Sequence, residues 1–302
     1  MSGTYFETDS LAFTDFAAGL ELGEPINPDS LNKTIYKDFY HGSDGVVVPT
    51  REEMRAYSRS SVLAARAIRE AAEGGLRIEP AVSLGWQPYY INGGTDFAKP
   101  IGRFYVNTKP DSTNPTIATL AQRIAETDIR ADVKAALAVN DDDSVIVTHR
   151  GGRDYRDNIP PSEIDRDDMT EIFNRSDRIV IYTNPDHLHT VIDILGDHYI
   201  ENPTSMNATA PRFTRPVTTG TGIVIPGVGF AEDFSRSREQ QRALWKLRAS
   251  SYGDFVRKML STMVMDEGIS DDMPAAIAKR FEAYGRNPQD PALNDPSTFE
   301  IR

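Results

Sequence analysis

The chain has 302 residues, with 33 Lys and Arg against 45 Asp and Glu and a formal net charge of −12. That balance disfavours nonspecific nucleic-acid binding, which needs cations in excess over the contact surface, while 39% hydrophobic and 26% charged residues suit one large globular domain or two modest ones. Cysteine is absent, which excludes disulfides, thiolate catalysis and thiolate-held metals; with no long apolar run and an acidic, interrupted N-terminus, a cytoplasmic protein without membrane contact is expected.

Residues 1–30 mix Gly, Pro, Asp and Ser with Phe6, Phe13 and Phe16, a composition that predicts an irregular lead-in. From Glu52 the series Met54, Tyr57, Val62, Ala65, Ile68, Ala72 recurs at roughly helical spacing and stops at Gly74 and Gly75, predicting an amphipathic helix. Residues 81–91 are β-rich and end in the turn signal Asn92, Gly93, Gly94.

Gly102 to Lys109 reads as a strand whose period of two puts Arg103, Tyr105, Asn107 and Lys109 on one side and Phe104 and Val106 on the other. This polar comb is either a chemical surface or an ordinary solvated face. Pro110 should close the strand, with a helix from Thr116 to Glu126 behind it. Residues 131–139, which include Lys134, fit strand or helix equally.

A short strand is expected at 145–148, and 140–172 reads as a long loop or insertion, rich in Arg, Pro and acids. The run from Arg178 to Tyr182 has the profile of a strand buried on both faces, preceded by Arg175, and Asp186 to Tyr199 reads as a helix. Residues 209–229 are extended and turn-laden. A helix starting near Ser237, with Gln240 completing a capping-box pattern, is expected to run past Tyr252 toward Met265. A last helix at 273–284 precedes a tail expected to fray.

Arg103, Lys109, Lys134, Arg175, Arg238 and Arg242 are cations in an otherwise acidic chain, and clustered guanidinium forks suit a phosphate. Taken singly, each could instead pair with one of the 45 acids. His187 and His189 have the wrong helical spacing for shared metal ligation, so no metal site and no cofactor are expected.

The segments Arg103 to Asn107, Arg175 to Tyr182, Thr209 to Thr214 and Ser237 to Arg242, in that order, resemble the landmarks of the HopA effector-like family, and Tyr36 to Tyr40 resembles an earlier aromatic landmark. The lineage is named for a bacterial type III effector and also supplies lyase components of peptide natural-product pathways. A more distant likeness reaches the phosphothreonine lyases. In those enzymes a strand lysine is the base, a histidine the acid, and further cations hold phosphate. Arg103 and Tyr105 fall where that lysine and histidine belong, Lys134 looks like the downstream lysine, and Arg175 is similar to the arginine before the buried strand. Phosphate binding therefore transfers better than the catalytic pair.

The resemblance implies an α+β fold, a twisted and mostly antiparallel sheet flanked by helices, phosphothreonine-lyase-like, over 31–270, with 271–302 as C-terminal helix and tail. It implies elimination of phosphate from phosphoserine or phosphothreonine in a precursor peptide, with a separate kinase as partner. Candidate catalytic residues are Lys109 as base, Tyr105 as proton donor and His41 as a cleft acid. Candidate phosphate or substrate binders are Arg103, Asn107, Lys134, Arg175, Arg238 and Arg242. Assembly with itself or another chain is left open. The alternative is a non-catalytic effector or scaffold that binds a partner protein through the same fold.

Overall fold

A computed structural model describes residues 4–20, 27–40, 47–81, 86–136, 138–139, 145–148, 156–159, 166–234, 238–249, 251–270, 272–295 and 297–300. Its centre is a seven-stranded sheet built from β1 (Ile78–Pro80), β2 (Gln87–Ile91), β3 (Gly102–Val106), β4 (Ala131–Ala135), β8 (Ile179–Thr183), β9 (Arg215–Thr218) and β10 (Val224–Glu232). The order across the sheet is β1-β2-β4-β8-β3-β10-β9, and every neighbouring pair is antiparallel. The expected α+β class with a sheet between helices is what the chain forms.

The two faces follow from the period of two along each strand. Phe104, Val106, Val133, Ile179, Ile181, Val228 and Phe230 point to one side and form a core with three helices, α3 (Arg51–Glu73), α4 (Pro110–Ala125) and α6 (Leu188–Glu201). Thr50 caps α3 through a complete capping box with Glu53, and Gly74 ends it, as its apolar spacing predicts. Tyr105 and Val180 point to the other side, where they meet α1 (Thr4–Ala18), a π-helical turn at Ile35–Tyr40, α8 (Tyr252–Glu267) and α9 (Met273–Ala283).

Several expectations are corrected. The lead-in is helical: Phe6, Ser10, Phe13 and Ala17 recur at helical spacing and are buried in α1. Asp9 ties that helix down by accepting from the Phe213 backbone N–H at 2.6 Å and from Arg212 at 3.2 Å. The strand expected at 145–148 forms as β6 (Val145–Thr148), but the rest of 140–172 is not all loop: the described residues also hold β7 (Arg156–Ile159) and most of α5 (Arg166–Phe173), with β5 (Ala138–Val139) completing a small three-stranded sheet. The helix expected to run from near Ser237 to Met265 is two, α7 (Arg238–Leu247) and α8, separated at Arg248 and Ser251. Ser237 itself lies outside the described residues.

The tail is packed rather than frayed. β11 (Arg286–Asn287) and β12 (Asp290–Asn294) pair, and Phe299 packs at a tilt against Phe230 with centroids 5.3 Å apart. Arg286 is completely buried without a carboxylate partner in its hydrogen bonds. It donates instead to the backbone oxygens of Glu232, Pro291 and Ala292 and to Asn294 Oδ1. The Glu232 carboxylate accepts from the Asn294 and Thr298 N–H groups and from the hydroxyls of Ser297 and Thr298, which fixes 294–299 against β10.

Candidate functional site

On the sheet face opposite α3, α4 and α6, the register sets Arg103 of β3 directly across from Tyr182 of β8, and Lys134 of β4 across from Val180. Arg103 and Lys134 thus flank Tyr182, one from each neighbouring strand. The Arg103 guanidinium carbon lies 4.8 Å from the Tyr182 ring centroid, and Lys134 Nζ lies 4.4 Å from it and 3.4 Å from the phenol oxygen. Cations over one aromatic face are attracted by its quadrupole.

Arg103 donates to Asp233 Oδ2 at 2.6 Å, its side chain is only 12% exposed, and its Nε has no partner. Burial by itself would depress this guanidinium, but Asp233 with Tyr182 and Tyr105 outweighs it and holds the pKa above its ordinary value. Arg103 is therefore permanently cationic and cannot act as a base. Two residues further on the strand, Tyr105 is buried, and among the described residues its hydroxyl has no hydrogen-bond partner. Burial raises its pKa, opposed by Arg103 and reinforced by Asp233, so the phenol keeps its proton. It can donate, and nothing yet accepts.

Lys134 is half-buried and, among the described residues, makes no ion pair, although the Asp132 carboxylate on the same strand feels its charge. Arg175, just before β8 as the sequence suggests, forks onto Asp177 at 2.8 and 3.2 Å and lies over the Trp86 ring at 4.5 Å. Asp177 adds a small upward contribution to the Tyr105 pKa, after burial, Asp233 and Tyr182.

The remaining candidates are placed differently. β3 ends at Val106, so Lys109 is not on the comb. The chain leaves the sheet where Thr108 bridges Met206, and Lys109 becomes the exposed N-cap residue of α4, followed by Pro110 at the first helical position. Asn107 is buried in a structural node: its amide donates to the Thr209 carbonyl, and its oxygen accepts from Arg178 at 2.9 Å and Asn207 at 2.8 Å. Arg178 shares that node, and its other donors meet the carbonyls of Thr108, Ile172 and Phe173; burial lowers its pKa to about 10.

Arg242 is exposed on α7. Gln240 faces inward to Gly285 and Asn294, and two residues advance a helix by about 200°, so Arg242 points outward. Arg238 begins α7, and His41 lies outside the described residues. Among the described residues no three histidines and carboxylates converge as metal ligands, and no helix is long and apolar enough to cross a membrane.

Sequence reasoning missed Trp86, Asp177, Tyr182 and Asp233. The comb pattern announced the face on β3, but only the strand register shows what stands across from it.

The late landmarks carry the family signal. Residues 169–293, from the buried Met169 through β12, match the HopA1 effector protein family. That match spans 125 of the 302 residues, less than half of the chain. The fold extends the likeness to nearly the whole chain. The structure of the effector protein from Pseudomonas syringae pv. syringae strain 61 superposes with a TM-score of 0.57 at 12% identity, covering 97% of this chain and 98% of that one. The effector protein from Pseudomonas syringae pv. tomato strain DC3000 gives 0.53 at 13% identity with the same coverage. At such identity the likeness establishes the HopA1-type fold alone. A comparison with curated protein sequences finds no match. The matched segment supplies Arg175, Asp177, Tyr182 and Asp233, whereas Arg103, Tyr105 and Lys134 lie before it.

Proposed function

We propose that the face carrying Arg103, Tyr105, Lys134 and Tyr182 receives a phosphorylated serine or threonine of a peptide and eliminates its phosphate. The observation that supports this reading is the pair of cations flanking Tyr182 beside a buried hydroxyl without an acceptor. A phosphate oxygen fills that gap, and a guanidinium meets phosphate well.

In the reaction the Cα–H and Cβ–O bonds break, the Cα electron pair forms the Cα=Cβ bond, and phosphate leaves with the Cβ–O pair. Lys134 takes the Cα proton, a role given to it because it stands on the face beside Tyr182, whereas Lys109 is exposed at the start of α4. Arg103 holds charge on the phosphate, and Tyr105 donates a hydrogen bond to the departing oxygen. The products are a dehydroamino acid and inorganic phosphate. Precursor peptides of ribosomally made natural products, phosphorylated by a separate kinase, are the substrate class this reading names.

Arg103 and Arg175 are already engaged by Asp233 and Asp177, and this favours a second reading, a partner-binding effector without chemistry. Mass spectrometry of a phosphothreonine peptide incubated with the protein separates them. Elimination removes the elements of phosphoric acid and leaves a residue that adds thiols. A phosphatase restores the hydroxyl, and an unchanged peptide supports the binding-only reading.

A further inference from the structure

Helix α7 carries a feature unrelated to the sheet face. Its inner side is apolar or hydrogen-bonded: Leu244 and Leu247 pack on the cluster around Phe255, and Gln240 bonds to Gly285 O and Asn294 Oδ1. Its outer side presents Trp245, 84% exposed, with exposed Arg242 three residues before it and Lys246 beside it. Residues three and four apart share a helix face. An indole left in water between two cations has no role in folding.

The end of the helix adds a second observation. The Ala249 N–H bonds to Leu244 O at 2.9 Å and the Arg248 N–H to Trp245 O at 3.1 Å, the Schellman pattern. The position that this pattern reserves for glycine is held by Arg248 at φ 52°, a left-handed conformation that costs an ordinary side chain strain. Lys258 Nζ donates to the Arg248 carbonyl at 2.6 Å and to Asp254 Oδ2 at 3.0 Å. Asp254 also accepts from Arg257. In a chain of net charge −12, Arg242, Lys246 and Arg248 are exposed on, or at the end of, the helix that carries Trp245.

We propose that this face of α7 docks an acidic segment of a partner polypeptide, with Trp245 as the buried anchor and the surrounding cations as its charge complement. Tryptophan and arginine are the side chains that most often dominate an interface. An anionic bilayer fits less well: a flat surface must face the whole acidic body, whereas a short acidic segment reaches only the basic patch. The proposal is independent of the lyase reading.

The test uses the full chain and a fluorescently labelled twelve-residue peptide of Glu, Asp and Leu, followed by anisotropy, with phosphatidylserine vesicles as a parallel arm. The expected result is saturable binding that weakens with added salt and falls at least about tenfold in both Trp245→Ala and Arg242→Glu. These two side chains are exposed, and circular dichroism checks that the variants stay folded. Arg248→Gly should raise the melting temperature while weakening binding severalfold. The proposal is overturned if the peptide does not bind, if Trp245→Ala binds it as well as the parent, or if the chain prefers the vesicles.

Discussion

Arg103 and Tyr182 face each other across neighbouring strands, the guanidinium carbon 4.8 Å from the ring centroid. Lys134 approaches the same ring from the strand on the other side. This one tyrosine therefore sets the spacing of two cations, and removing its ring should disorganise both. Tyr182→Leu is expected to abolish phosphate elimination while Tyr182→Phe, which keeps the ring, retains most of it; the assay is dehydroamino-acid formation followed by mass.

Tyr105 separates function from stability. Its buried hydroxyl has no partner, and an unsatisfied buried polar group costs about 1–3 kcal/mol. Tyr105→Phe should raise the denaturant midpoint and slow elimination by about tenfold or more. An ordinary core tyrosine would show the first change without the second.

Glu232 holds the C-terminal segment. Its carboxylate accepts from Asn294, Ser297 and Thr298, so Glu232→Ala strands the buried Asn294 N–H and releases the partly exposed donors of Ser297 and Thr298. A loss of about 3 kcal/mol is expected. Limited proteolysis should then cut near residues 294–299 before the rest of the chain.

Gly102 has no room for a side chain. A Cβ there would clash with the Phe230 ring and lie 2.9 Å from Phe299. Both rings are buried and packed against each other, so neither can give way cheaply. Gly102→Ala should cost about 1–3 kcal/mol in urea unfolding, and trimming Phe299 to Leu in the same chain should recover part of it.

His198 predicts a pH dependence. Its Nε2 lies 3.2 Å from Thr116 Oγ1, its Nδ1 has no partner, and burial, with Arg123 nearby, depresses its pKa. The folded chain therefore keeps the ring neutral where the unfolded chain binds a proton, so stability falls as pH drops below the ordinary histidine value near 6.5 and levels off below the depressed one. Asp9 and Asp132, raised by burial, act in the opposite sense from lower pH. They are the same in both chains when wild type is compared with His198→Gln. The variant should lose less melting temperature between neutral and mildly acidic pH.

What the sequence revealed followed its periodicities. Alternation along 102–106 separated Arg103 and Tyr105 from Phe104 and Val106, and the helical stripe of α3 announced both its ends. The end of β3 was hidden because Asn107 and Lys109 continue the alternation in composition, while the backbone at Thr108 and Lys109 is claimed by Met206 and Ser205. The stripe of α1 was obscured by Ser10, a polar residue on its buried side. The break between α7 and α8 carries no glycine, since Arg248 occupies the left-handed position. Lys134 and Tyr182 meet across 48 residues of chain through a strand register that no local pattern encodes.

Two lysines decide the central claim. The account assigns proton removal to Lys134, on the sheet beside Tyr182, and none to the exposed Lys109 at the start of α4. With a phosphothreonine peptide as substrate, Lys134→Ala should lose about a hundredfold or more of the dehydration rate, and Lys109→Ala should match the parent. An inactive parent chain, or a loss confined to Lys109→Ala, would contradict it.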